Sequence, residues 1–177
     1  MIQIGKFVQR KRVIKRIGID TDNCFSWMDN EKSIPKYKPR IAQRRNFLYT
    51  NYVVLSELMN LLSNKNPNVN REEVIKFLNR NHISPIRRDD VNETEVEETL
   101  NKLKIERKNK NWLAGDNDLK IISVYHCAKI DCISTNNLKH FREPCDYLGM
   151  DIDFPKIIQI GSRQDVNRML RNLYRNH

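Results

Sequence analysis

Apolar positions along the chain fall into short blocks whose period switches repeatedly between that of a strand and that of a helix. Val13–Ile19 reads as a strand that becomes apolar toward Ile17-Gly18-Ile19. Asp20-Thr21-Asp22-Asn23 interrupts it with residues that cap helices, and a short helix from Cys24 to Met28 is predicted to follow. Ser33–Asn46 contains Pro35 and Pro39 among its charges and is predicted to be an extended loop. Tyr52–Leu62 is predicted to be helical, with Val54, Leu55, Leu58, Leu61 and Leu62 on one stripe. Asn70 followed by Glu73 has the form of a capping box opening a helix with Val74, Phe77 and Leu78 inward. His82–Ile86 is a short strand candidate interrupted by Pro85 and Arg87.

Asn92–Lys108 is acid-rich at its start and basic at its end, as a helix dipole prefers, with Val96, Leu100 and Leu103 in period. Asn117-Asp118 opens a helix whose inner face is Ile121, Ile122, Tyr125 and Ala128. The apolar strand Cys132-Ile133-Ser134 and a polar turn at Thr135-Asn136-Asn137 follow. Phe154–Ile160 is a further strand candidate, and Val166, Leu170 and Leu173 form one face of a terminal helix. Short strands alternating with helices imply an α/β fold with a mostly parallel sheet.

The length of 177 residues predicts one domain, and 39% hydrophobic residues are enough to build its core. The expected division is a basic N-terminal extension over 1–15 and a domain over 16–177 carrying a basic loop at 32–46. No apolar stretch approaches a membrane span, and none behind the basic start resembles a signal peptide. Four scattered cysteines fit small apolar packing in a reducing compartment, so a cytoplasmic location is expected.

Charge sharpens this picture. The net charge is +10, yet Met1–Arg16 holds six basic residues and no acid, and Lys32–Arg45 holds six more and no acid. Two basic segments on a near-neutral body favour a polyanionic partner, because each phosphate contact releases counterions. Solubilising tails would produce the same composition.

Three acids sit where solvated acids do not. Asp20 directly follows the apolar end of the first strand, which in an open parallel sheet is the edge where ligands bind. Glu57 lies inside the apolar stripe of its helix. Asp118 precedes Ile121 and Ile122 at the buried end of another. Asp20 and Asp118 each also have the position of a helix cap, and Glu57 has many arginines to pair with. Together, a strand-end Asp, a helix-face Glu and a helix-start Asp can converge on a hard divalent cation such as Mg²⁺ or Mn²⁺. Such a cation reverses the repulsion between carboxylates and phosphate. His126 and His140 are read as ordinary structural or surface positions.

The run Ile17-Gly18-Ile19-Asp20-Thr21-Asp22 resembles the opening "apolar strand, then Asp-Thr-Asn" of PIN-domain proteins. Val54-Leu55-Ser56-Glu57-Leu58 is similar to their second acidic motif and Asp118-Leu119-Lys120-Ile121-Ile122 to the third. Ser134-Thr135-Asn136-Asn137-Leu138-Lys139-His140-Phe141 is similar to the closing Thr-x-Asn/Asp-x-x-x-Phe motif. The order agrees from about Ile14 to Phe141. The resemblance implies a three-layer α/β/α sandwich around a parallel sheet and a metal-dependent ribonuclease. In that case Asp20, Glu57 and Asp118 match the metal-binding acids and Asn137 the fourth position. Asp22 stands where Asn is usual, and Asp22 or Asp116 can supply the charge that Asn137 lacks.

The expected function is therefore endoribonucleolytic cleavage with Mg²⁺ or Mn²⁺, with Arg40, Arg44, Arg45 and Lys139 contacting the RNA backbone and Tyr37 and Tyr49 offering stacking faces. The resemblance adds an antitoxin protein or an RNA-processing assembly as partner, and a homodimer. Two rivals remain: a non-catalytic RNA-binding scaffold on the same fold, and the toxin of a toxin–antitoxin pair.

Overall fold

The structure, a computed structural model, describes residues 15–33, 46–65 and 71–153. The expected loop between Ser33 and Asn46, the Asn70 cap, the Phe154–Ile160 strand and the terminal helix lie outside the described residues. So do Tyr37, Arg40, Arg44 and Arg45.

Five strands form one all-parallel sheet: β1 (Arg16–Ile19), β2 (Phe47–Asn51), β3 (Ile83–Ile86), β4 (Cys132–Ser134) and β5 (Asp151–Asp153), in the order β3-β2-β1-β4-β5. The helices between them are α1 (Thr21–Ser33), α2 (Tyr52–Lys65), α3 (Arg71–Arg80), α4 (Glu93–Lys110), α5 (Asp116–Cys127) and α6 (Leu138–Leu148). A single turn of 3₁₀ helix, Arg88–Asp90, links β3 to α4.

The expected α/β architecture with a parallel sheet is what forms, and β4 has the expected bounds. α1 runs from Thr21 to Ser33 where a shorter helix, Cys24 to Met28, was expected, and three further elements were not anticipated. β2 was not anticipated, although Phe47-Leu48-Tyr49-Thr50 has the aromatic and β-branched character of a strand; it pairs β1 from Arg16↔Phe47 to Gly18↔Tyr49. α6 carries Pro144 inside it, which hides a helix whose Phe141 and Cys145 are buried. β5 is only Asp-Ile-Asp, too short and too charged to be read as a strand, and it sits at the sheet's border beside β4. Pro85 is tolerated in β3 because that strand is the opposite border.

The core on both faces of the sheet is built from the expected stripes. Val54, Leu58 and Leu62 of α2, Val96, Leu100 and Leu103 of α4, and Ile121, Ile122 and Tyr125 of α5 are buried. Leu61 instead faces outward. At Gly18 the central strand gives way to a ring: a Cβ there would lie 2.7 Å from the Tyr125 side chain. The absent methyl lets Tyr125 lie flat on β1 and donate its hydroxyl hydrogen to the Ile19 carbonyl at 2.7 Å. This contact clamps α5 to the strand end that carries Asp20. Among the described residues no helix is long and apolar enough to cross a membrane.

Candidate functional site

All five strands point their carboxyl ends the same way, so the residues that follow β1, β2 and β4 gather at one edge. Asp20 follows β1 and caps α1, with the Cys24 amide donating to its carbonyl at 2.9 Å. Glu57 stands in the second turn of α2, which begins directly after β2. Asp118 lies in the first turn of α5 rather than at its cap; Gly115 holds the cap position and its amide donates to Asp118 Oδ2 at 2.8 Å. Thr135 and Asn137 follow β4.

These residues close into a ring of hydrogen bonds. The Thr21 amide donates to Asp20 Oδ1 at 2.7 Å, and the Thr21 hydroxyl donates to Glu57 Oε2 at 2.5 Å. Asn117 Nδ2 donates to Glu57 Oε1 at 2.7 Å, bringing the start of α5 against α2. The next residue, Asp118, meets His140 Nδ1 at 3.0 Å through Oδ2. His140 sits on the first turn of α6, its amide donating to the Asn137 carbonyl at 3.0 Å. The Asn137 amide donates to Thr135 Oγ1, and the Thr135 hydroxyl donates to Asp20 Oδ2, both at 2.9 Å. Thr135 thus ties the end of β4 to the end of β1 through its donated hydrogen, while its oxygen accepts the amide of Asn137.

Burial gives the ring its electrostatics. Asp20 is 4% exposed, and this desolvation pushes its carboxyl up to about 7, against the two hydrogen bonds that favour its charge. Asp22 and Asp118 add to the rise by repulsion. Beside it, Asn23 Nδ2 donates to Ser134 Oγ at 2.9 Å, while the buried Asn23 Oδ1 has no partner. Asn137 makes no side-chain cap for α6.

The structure therefore brings Asp20, Glu57, Asp118 and Asn137 together at one edge, and leaves Asp116 out. Asp116 pairs with Arg107 at 2.7 Å and Lys104 at 3.4 Å on α4, and these cations hold its carboxyl below the usual range. Asp22 is exposed beside Asp20, and Lys139 is exposed on the first turn of α6. Tyr49 is packed beneath the Arg16 guanidinium, 5.1 Å from its ring centre, rather than offered at this edge.

Sequence reading assigned no role to Thr21, Thr135 or Asn117 and set His140 aside. The threonines were legible as hydroxyls placed just after strand ends. Asn117 and His140 had no local signal, since their partners lie 60 and 22 residues away.

The donor types are those that a hard divalent cation takes, but in this structure they stand apart. Asp20, Glu57 and Asp118 belong to one hydrogen-bonded ring, and Asp20 is desolvated and repelled by Asp22 and Asp118. Their spacing is set by the hydrogen bonds of the ring. Among the described residues no three His, Cys, Asp or Glu side chains stand close enough to hold one ion.

No family model matches this sequence, and no curated protein matches it significantly. Solved structures do. A chain of VapBC2 from Rickettsia felis bound to a promoter DNA fragment is 21% identical, with a TM-score of 0.56 over 77% of this chain and 96% of that one. DNA-bound VapBC from Salmonella typhimurium is 15% identical, with a TM-score of 0.54 over 80% and 98%. VapBC-1 from nontypeable Haemophilus influenzae is 18% identical, with a TM-score of 0.52 over 77% and 96%. At these identities the likeness concerns the fold. The all-parallel order β3-β2-β1-β4-β5 and these neighbours agree on one architecture, and the chain has the PIN-like α/β fold that its sequence resemblance implies.

Proposed function

We propose that this chain is a divalent-metal-dependent endoribonuclease whose centre is the ring at the carboxyl edge. The observation that carries this reading is Asp20, a buried carboxylate at a strand end, crowded by Asp118 and linked through Thr21 to Glu57. A buried charged carboxylate costs stability unless something compensates it. Asp20, Glu57 and Asp118 would hold Mg²⁺ or Mn²⁺, with Asn137 contributing its amide oxygen. When bound, the ion supplies positive charge for the phosphodiester and polarises a water for attack on phosphorus.

The remaining work falls to the chain. Thr135 and the Thr21 amide fix both oxygens of Asp20, and Thr21 and Asn117 fix both oxygens of Glu57, so neither carboxylate has to be ordered when substrate arrives. His140 holds Asp118 from the opposite side. Lys139, exposed one residue from His140, would meet a phosphate of the bound strand. Hydrolysis then leaves a 5′-phosphate and a 3′-hydroxyl.

The test is cleavage of a labelled single-stranded RNA with Mg²⁺, Mn²⁺ or EDTA, using wild type beside Asp20→Asn and Glu57→Gln. The expected result is metal-dependent cutting reduced roughly a hundredfold or more in both variants. Cutting that survives EDTA and both substitutions would place the chemistry elsewhere.

The VapBC neighbours support a second reading of the protein's setting, in which a small antitoxin protein holds the enzyme inactive. Co-purification of a small partner whose removal releases the cutting would establish it. Asn137 in place of an acid, with the separated carboxylates, supports the non-catalytic scaffold instead. Metal-independent RNA binding without cutting is the outcome that scaffold requires.

A further inference from the structure

Two routes of hydrogen bonds lead from Asp20 to the start of α5, and they pass through different helices. One runs along α2: Asp20 holds the Thr21 amide, the Thr21 hydroxyl donates to Glu57, and Glu57 accepts from Asn117. The other runs through the start of α6. The Thr135 hydroxyl donates to Asp20, the Asn137 amide to Thr135, the His140 amide to the Asn137 carbonyl, and the His140 ring meets Asp118. The first route stops at the residue before Asp118. The second ends on the Asp118 carboxylate itself.

That carboxylate is held through one oxygen. The Gly115 amide donates to Asp118 Oδ2 at 2.8 Å, and His140 Nδ1 meets the same oxygen at 3.0 Å. An ionised carboxylate only accepts, so Nδ1 is the nitrogen that carries the hydrogen. Asp20 and Glu57 have a donor on each oxygen, whereas Asp118 Oδ1 has none among the described residues. The Asp118 and His140 side chains are 22% and 29% exposed, a setting in which such a pair adds little to stability. Its consequence is geometric. Asp118 repels Asp20, and a carboxylate held by a single donor can turn away from that repulsion. A second donor from α6 fixes the plane of the group and leaves Oδ1 as the oxygen that meets a ligand. One aimed oxygen is enough to matter, because Mg²⁺ keeps several of its waters and takes only one or two carboxylates directly.

We propose that His140 is a positioning residue of the acidic ring. By holding Asp118 Oδ2 from α6 it keeps Oδ1 presented at a set distance from Asp20, and so raises the affinity of this edge for a divalent cation. A partner that bonds the ligating carboxylate orients it, and its loss is felt in metal affinity. The inference deepens, and rests on, the metal-dependent reading of the same site. It makes the first turn of α6, and not only the three acids, a part of the centre.

The test is titration of the full chain with Mn²⁺, the free ion being followed by its paramagnetic resonance, at a temperature where melting curves show each variant folded. His140→Leu, with His140→Ala beside it, removes both ring nitrogens and is expected to weaken Mn²⁺ binding about tenfold or more. His140→Asn keeps a donor near the place of Nδ1 and is expected to restore most of that loss. In an Asp118→Asn background, His140→Leu should change the affinity no further, since the two residues act as one unit. A tie that only joins α5 to α6 would instead lower the melting temperature and leave Mn²⁺ binding as it was. Unchanged or tighter Mn²⁺ binding in His140→Leu and His140→Ala would overturn the proposal. So would a loss that His140→Asn does not restore, or one that persists in the Asp118→Asn background. A wild type that binds no Mn²⁺ would overturn the metal-dependent reading and this proposal with it. A wild type that binds Mn²⁺ but leaves RNA uncut would remove the nuclease alone, and the effect of His140 on affinity would still decide the proposal.

Discussion

The two edges of one parallel sheet treat acidic side chains in opposite ways. At the carboxyl edge Asp20 is buried, its nearest charged neighbours include two further acids, and its carboxyl is pushed up to about 7. At the amino edge Asp151 is exposed and paired with Lys15, and burial plays little part. The first arrangement makes folding more costly and suits a cationic ligand; the second is an ordinary surface ion pair. The comparison teaches that the fold concentrates destabilising charge where strands end and helices begin, and leaves neutralised charge where the chain returns.

Stability against pH offers the sharpest way to break this comparison. The folded state keeps a proton on Asp20 that the unfolded chain has lost between about pH 4 and pH 7. Its contribution therefore favours folding at low pH and is lost as pH rises through about 7. Asp20→Asn removes that loss. It is expected to exceed wild type by a few kcal/mol near pH 8 in EDTA and to match it near pH 4, measured by denaturant unfolding. Added Mn²⁺ should restore wild type near pH 8 and leave the variant unchanged. A variant less stable than wild type near pH 8 would show that the ring, not the buried charge, dominates.

Gly18→Ala comes next. The new methyl meets Tyr125 at 2.7 Å and has to displace a fully buried ring that anchors α5 beside Asp20, so about 1–3 kcal/mol of stability should be lost. Cleavage is expected to fall with it. Thr135→Val has a smaller effect on stability, about 1 kcal/mol, because it removes a hydroxyl that serves Asp20 and Asn137 together. It should raise the Asp20 carboxyl further, shifting the pH dependence of unfolding upward. Asp151→Asn is the smallest change: loss of the exposed pair with Lys15 is expected to cost less than about 1 kcal/mol, and less still in high salt.

Much of this fold was legible in the sequence where burial is periodic and local. α2, α4 and α5 each repeat apolar residues on one face, and β4 is an uninterrupted apolar run between polar breaks. α1 begins at Thr21, three residues before the expected Cys24, because Asp20 rather than Asn23 acts as its cap. β5 could not be read from Asp-Ile-Asp, since its strand character comes from pairing with β4 and not from its own side chains. α6 was obscured by Pro144, although Leu138, Phe141 and Cys145 keep a helical spacing.

The acids follow the same division. That Asp20, Glu57 and Asp118 are out of place is a property of their neighbours in sequence, and the chain alone determined it. Which acids join one another is a property of contacts between distant elements. Only the folded chain sent Asp116 to Arg107 and Lys104 on α4 and drew Asn117 and His140 into the ring. Likewise the sequence determined that positive charge is concentrated in two segments, and the tertiary structure decided that Lys15 and Asn46, the described residues at their borders, are hydrogen-bonded to each other. The reason is geometric: all strands run parallel, so every connection that returns to the sheet does so at the amino edge, while every strand delivers its last residue to the other.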